Sequence, residues 1–435
     1  MQKLAIPNFE GMSKKFSFAL FIAALTILPF WGIELLGQRA GLVWRGANID
    51  FEAFYVAAHR FLQGVSIYDV DGISMSFIRQ NQVSPWLYPP SHIMFVLPFA
   101  LLPFEIAGNV WNAAWILALW FGINLILSEF GYKTSVGVKS LLLLGIISFS
   151  PAIHALKLGQ ITGFFAAGVA LLFVLQEQAE QNGGVHSESP SRPAIFAFTT
   201  VAIVLTKPFY APLAAGLLLS KRRLAGSGLT FVVFVIASIV IAAPGDFQLY
   251  YEVLRGGKGW VDLADPVEAW NEGYYEPFYI FGTASIYIKI ALTVLLAGFL
   301  ILARDVENHH GHYVIAAGVA AVPLVGPELY STAFIPLIPA VVTLTLVENE
   351  RSDGVPWLPV LSLVGMHLST FALRLTWGVL DIFATPTMKP LLTLMQTGLW
   401  ANVALLALAV FRIAQEMNMT ERTTKGIVSN DKTNL

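Results

Sequence analysis

Apolar runs at or near membrane-spanning length recur from residue 16 to residue 411 of this 435-residue chain. Clear runs occupy 16–36, 107–127, 226–243, 282–303, 329–347, 356–373 and 391–411. Shorter pieces lie at 89–104, 140–153, 161–176, 194–206, 208–220 and 313–325. A helix needs about 20 apolar residues to cross a hydrocarbon core of about 30 Å. The pattern predicts an all-α, polytopic integral membrane protein. Charged residues make up only 12% of the chain, about half the usual share of a soluble one. Soluble enzyme folds and disordered scaffolds are excluded on that ground. A net charge of -2 offers no basic surplus for nucleic acid. With no cysteine, disulfides, thiolate metal sites and cysteine nucleophiles are excluded together.

Lys14 and Lys15 precede the first apolar run, as in a secretory signal. That run is long for a signal core and lacks a small-x-small cleavage site, so a retained first helix is expected. Positive charge gathers in short cytoplasmic loops, whereas long loops translocate regardless of charge. Lys3, Lys14 and Lys15, the Lys221-Arg222-Arg223 loop, Lys133 and Lys139, Arg304 and the tail with Arg412 all ask for the inner side. They agree if residues 37 to 127 contain one crossing, which leaves 89–104, with Pro89, Pro90, Pro98 and Pro103, as a juxtamembrane or re-entrant helix. About twelve transmembrane helices follow, with a cytoplasmic N-terminus at 1–15, a membrane domain at 16–411 and a mobile cytoplasmic tail at 412–435. The long polar stretches 37–88 and 244–281, together with 154–160, Lys207 and 327–330, then share the external face. Several central pieces are too short to cross unaided. Such helices persist at membrane depth only around protein or a wet cavity, so the middle of the chain is expected to surround a site.

Five groups carry chemistry. In the first external loop, Phe51, Phe54, Tyr55, Ala58, Phe61 and Leu62 share one helical face, with Glu52, His59 and Arg60 among them. This reads as an amphipathic helix lying in the membrane interface, and Asp50 stands where an N-cap would. The second group is Trp86-Leu87-Tyr88-Pro89-Pro90-Ser91-His92, which alone is a turn with an interfacial aromatic. The third is Lys157-Leu158-Gly159-Gln160. The fourth is Lys207-Pro208, where an ionisable residue between apolar spans is either functional or a snorkelling lysine. The fifth is Gly326-Pro327-Glu328-Leu329-Tyr330. The aromatic residues of 244–281, Tyr250, Tyr251, Trp260, Trp270, Tyr274 and Tyr275, suit either a sugar platform or an interfacial belt. Asp69-Val70-Asp71 has the spacing of a metal–nucleotide motif but falls in the external loop and reads as a solvated turn. His309, His310 and His312 read as a solvated inner loop.

Taken in order, these pieces resemble glycosyltransferase family 87, the polyprenyl-phosphate-mannose-dependent mannosyltransferase type on the GT-C fold. The likeness rests on Asp-Phe-x-x-x-Tyr-x-Ala-Ala from Asp50 running to Gly64 and Tyr68, Tyr-Pro-Pro at 88–90, Gly-Gln at 159–160, Lys-x-x-x-x-Pro at 207–212 and Pro-x-x-Tyr at 327–330. It spans about residues 45 to 345. Thr162 departs from an asparagine common in the family after Gly-Gln, and Gly326 departs from a commoner serine.

The resemblance implies a GT-C-like fold and an external active site. There, a hexose such as mannose moves from a polyprenyl-phosphate donor to a glycolipid or glycan acceptor of the cell envelope. It implies Asp50 as the base, with Tyr55, Arg60, Tyr88, His92, Lys157, Gln160, Lys207, Glu328 and Tyr330 binding substrate. A carboxylate beside the acceptor hydroxyl can take its proton. The departing phosphate needs cations or hydrogen-bond donors, and Lys207 is the best-placed cation by sequence. A single displacement inverts the anomeric centre, and nothing in the motifs asks for a metal or a cofactor. The competing readings are a lipid or sugar transporter or flippase, which would favour charges buried mid-span and repeated halves, and an inactive subunit of an envelope-polymer complex.

Overall fold

The computed structural model describes residues 49–68, 86–182, 189–254, 274–275, 284–302, 311–325, 329–380 and 397–431. The first apolar run at 16–36, Asp69 to Asp71, Trp260, Trp270, His309, His310 and Glu328 lie outside the described residues.

The described chain is helical apart from one short antiparallel pairing. Its elements are α1 (Ile49–Leu62), α2 (Ile93–Ala100), α3 (Phe104–Glu129), α4 (Val136–Ser148), α5 (Ser150–Leu158), α6 (Thr162–Gln181) and α7 (Ser191–Thr206). A 3-10 segment, Pro208–Leu219, leads to α8 (Lys221–Ile241) and α9 (Asp246–Leu254). Then come β1 (Tyr274–Tyr275), α10 (Ala284–Leu302), α11 (Gly311–Val325), β2 (Leu329–Tyr330), α12 (Leu337–Glu350), α13 (Trp357–Leu380) and α14 (Thr397–Asp431). Among the described residues, six helices are long and apolar enough to cross a membrane, or seven if the bent pair α4–α5 counts as one.

The core forms where α6 packs on α3, and where α11 packs on the 3-10 segment and on α14. Small residues allow the first contact: a Cβ at Gly163 would stand 2.2 Å from the Trp115 ring. Close backbone approach of this kind is what drives helix association where no water is left to expel. Helix α11 is buried along nearly its whole length, whereas α8 and α10 present mostly exposed Leu, Ile, Val and aromatic side chains, as lipid-facing helices do. The described membrane helices therefore form an inner set and an outer set.

Short central pieces are accommodated in two ways. Helices α4 and α5 meet at a 68° bend. Pro151 sits at the start of α5, where its ring is tolerated but cannot continue α4. The Ser150 amide freed by the break donates to His367 Nδ1 at 3.1 Å, so this backbone donor is satisfied within the protein. The twelve residues Pro208–Leu219 are wound as a 3-10 helix. At about 2.0 Å rise per residue they reach about 24 Å, against about 18 Å as an α-helix.

Several expectations are corrected. Helix α1 does not present the exposed polar face expected of an amphipathic helix: Phe51 through Ala58 are all buried, and Phe51 packs against Phe99, Phe104 and Trp111. The run predicted over 329–347 opens as β2 and a 3-10 turn, and its helix starts after Pro336. The stretch after residue 412, expected as a tail, is helical as far as Asp431, within α14. Arg412 is buried and makes a two-point pair with Glu348, Nε to Oε1 at 2.8 Å and Nη2 to Oε2 at 2.6 Å. Tyr313 Oη and the Val355 amide also donate to Glu348. Arg223 of the basic loop is likewise buried, its guanidinium 3.9 Å from the Phe196 ring centre and bonded to Gln176. His312 is buried rather than solvated. Its Nε2 lies 3.3 Å from Glu177 and its Nδ1 3.2 Å from Glu180. A protonated imidazolium would face a carboxylate at each ring nitrogen, and the three groups also stand close enough together to hold a metal ion.

Candidate active site

The polar stretches come together at one end of the helices. Ser66, in the turn after α1, hydrogen-bonds Asp246 at the head of α9, and the Tyr68 and Tyr250 rings pack 5.2 Å apart. Strand β1 pairs with β2, Tyr274 opposite Tyr330 and Tyr275 opposite Leu329. The 3-10 turn Ser331–Phe334 that follows packs on α5, and α5 contacts α1. Segments from 64–68, 154–160, 246–254, 274–275 and 329–334 thus share one region. Helix α6 begins beside it at Thr162 and carries Glu177 and Glu180 to the other end, about 25 Å away at 1.5 Å per residue.

Asp50 lies in the first turn of α1 and not at its cap. Its carboxylate is engaged by the Gln160 side chain, which donates from Nε2 to Oδ2. The other end of the same amide, Oε1, accepts from Lys207 Nζ at 3.3 Å. Three of the residues named from sequence, 110 and 47 positions apart along the chain, therefore form one line: Asp50, Gln160, Lys207.

Each is held by its own local structure. Helix α5 ends at Gly159, whose φ of 70° is a left-handed conformation that glycine adopts without strain. The turn places Gln160 between α5 and α6, where it is buried. Its amide is bonded to the Ala155 carbonyl. Helix α3 clamps this end from the side, with Trp111 Nε1 donating to the Gly159 carbonyl at 3.0 Å and Asn112 Nδ2 to the Leu156 carbonyl at 3.0 Å. Lys207 occupies the extended residue between α7 and the 3-10 segment, its ammonium 5.8 Å from the Phe209 ring centre. Loss of water there pulls the lysine down from its ordinary value to about 8, while the nearby Asp50 charge acts in the opposite direction.

Tyr88 borders the same group. Burial raises its phenol above the ordinary range, and the Asp50 charge adds to that. Its carbonyl accepts from Tyr68 Oη at 2.5 Å, and its ring packs on Phe54 and Trp86. This phenol stays protonated and able to donate.

The remaining sequence candidates are placed differently. Tyr55 spends its hydroxyl on the Leu102 carbonyl at 2.7 Å, anchoring α1 to the α2–α3 turn. Arg60 sits ten residues along α1 from Asp50, about 15 Å by helical rise, and donates to the Ser66 carbonyl at 2.6 Å. His92 is buried toward α8, its ring 5.4 Å from that of Phe234 and its Nε2 without a hydrogen-bond partner. Lys157 lies in the last turn of α5, but its side chain is outside the described residues, as is all of Glu328. Tyr330 is placed by its backbone in β2. Sequence reasoning missed the clamp made by Trp111 and Asn112. Their i, i+1 placement on an apolar helix carries no signal until α5 is seen beside it.

Comparison with known proteins adds one match. Residues 86–327, more than half of the chain, fit the profile of glycosyltransferase family 87. Gln160 and Lys207 fall inside the matched segment, and Asp50 precedes it. No curated protein and no solved structure matches significantly.

Proposed function

The chain belongs to glycosyltransferase family 87, and from that premise we propose that it transfers a hexose, mannose by preference, from a polyprenyl-phosphate donor to a glycolipid or glycan acceptor of the cell envelope. In this reading the protein sits in the cell membrane with about twelve crossings in a GT-C-like arrangement. The reaction takes place on the external or periplasmic face without a metal. The observation that carries the reading is the line from a carboxylate through one amide to an ammonium, at the end where the polar stretches gather.

The chemistry follows from what each group can do. The acceptor hydroxyl oxygen bonds to the anomeric carbon, and Asp50 takes its proton. The bond from that carbon to the phosphate oxygen breaks on the opposite face, so the configuration inverts. The phosphate leaves with the electron pair, and Lys207 balances the charge that develops on it. Holding base and cation on one scaffold keeps both reacting partners in line before reaction. Tyr88 supplies a neutral hydroxyl beside the carboxylate for the sugar or the acceptor.

Asp50→Asn tests the reading. Asparagine matches aspartate in size and keeps a side-chain oxygen that can accept from Gln160, but it cannot accept a proton. General-base catalysis is worth roughly 10²–10⁴ in rate. Transfer from labelled polyprenyl-phosphate mannose into an envelope lipid extract is expected to fall by at least about a hundredfold, with donor binding retained. Near-normal transfer removes Asp50 from the mechanism.

A further inference from the structure

We propose that Gln160 is a positioning residue, one that sets the base against the donor phosphate, and not a ligand of the sugar. The proposal rests on the function argued above and assigns a role within that site. A carboxylate can only accept and an ammonium can only donate. A neutral side chain that both donates and accepts can serve both ends, and a primary amide does so from two separate atoms, its nitrogen toward Asp50 and its oxygen toward Lys207. The observed contacts have that polarity.

The amide is also fixed in place. Gln160 is buried, its backbone is bonded into the end of α5, and the left-handed Gly159 beside it is held by Trp111. The Nε2 and Oε1 atoms are each engaged by a protein group before any substrate arrives, which leaves a substrate only the second N–H and the second lone pair of a buried amide. Lys207 and Tyr88 are among the titratable groups that feel the Asp50 charge, and Gln160 is the neutral element that stands between the first of these and the carboxylate. A direct ion pair would neutralise the base and occupy the cation that the phosphate needs.

A double-mutant cycle separates the two roles. Gln160→Met removes both hydrogen bonds at similar length and is expected to lower kcat about ten- to a hundredfold. The KM for donor should change little. The acid limb of its pH–rate profile should move to higher pH, because the carboxylate has lost a hydrogen bond to its charged form. In the Asp50→Asn background the same change should cost less than about threefold further, since residues that act through one another are non-additive. A sugar ligand would instead raise KM, leave the pH profile in place and multiply its cost with that of Asp50→Asn; that result overturns the proposal. If the Met variant does not fold, Gln160→Leu removes both hydrogen bonds in a different apolar side chain and provides the same cycle. Absence of transfer by the wild type overturns the donor reading and the positioning role with it. Wild-type transfer with multiplicative costs overturns the positioning role alone.

Discussion

Ser66 donates a hydrogen bond to the carboxylate of Asp246, 180 positions later in the chain, and so ties the turn behind α1 to the head of α9. The same carboxylate accepts from the Ala243 amide at 2.8 Å and is buried. One acidic residue thus fastens the two long polar stretches across the site. Asp246→Ala should cost about 1.5–3 kcal/mol of local stability, the range for hydrogen bonds to a charged group. Hydrogen exchange at residues 64–68 and 246–254 should accelerate while the rest of the helices keep their protection.

The protonation of Lys207 sets the pH range over which donor phosphate is held. The lysine is charged below its value of about 8 and loses its charge as pH rises through it. Affinity for a polyprenyl-phosphate analogue should therefore be full at pH 6–7 and decline above about pH 8. Lys207→Arg should flatten that decline, because guanidinium keeps its proton. Lys207→Met should bind weakly at every pH. A Met variant with wild-type affinity and a wild-type pH profile would leave the lysine with no part in phosphate binding.

The two ends of the helices should face opposite sides of the membrane. The chain has no cysteine of its own, so single cysteines can be placed at Val65 and Asn182, both exposed and at opposite ends. A membrane-impermeant thiol reagent applied to intact cells should label Val65→Cys and reach Asn182→Cys only after permeabilisation. The reverse pattern would invert the orientation and place the site inside.

Breaking the buried pair at the other end should be costly. Arg412→Met leaves the Glu348 carboxylate buried with Tyr313 Oη and the Val355 amide but without its cation. Removal of one partner from such a pair typically destabilises by about 3–5 kcal/mol. The variant should lose several degrees in thermal stability in detergent. Glu348→Gln with Arg412→Met should recover much of that loss.

Much of this was legible in the chain before the fold. Apolar runs located the helices at 104–129, 162–181, 191–206, 284–302 and 311–325 to within about five residues, and the short-loop charges grouped 37–88, 154–160, Lys207, 244–281 and 327–330, parts of which the structure brings together. Asp50, Gln160 and Lys207 were each visible as polar residues among apolar ones. Their hydrogen bonds were not, because a contact between residues 110 apart depends on the bend at Pro151 and the turn at Gly159, which set direction and not composition. Burial of α1 escaped a periodicity argument because helices packed above it cover the polar side as well as the apolar one. Arg412 and His312 were misread for a related reason: a charge near a predicted span end looks solvated until its partner, Glu348 or the Glu177–Glu180 pair, is found on another helix.

The Glu348–Arg412 pair also imposes a schedule on biosynthesis. The carboxylate belongs to α12 and its guanidinium arrives 64 residues later. At about 5–20 residues per second, the ribosome leaves that acid without its cation for about 3–13 s. Throughout that interval α12 cannot settle at its final depth at low cost, so it must wait near water or beside the translocon until α14 emerges. A nascent chain stalled before residue 412 should therefore stay accessible to quality-control proteases, and release of α14 should be the event that seals the bundle.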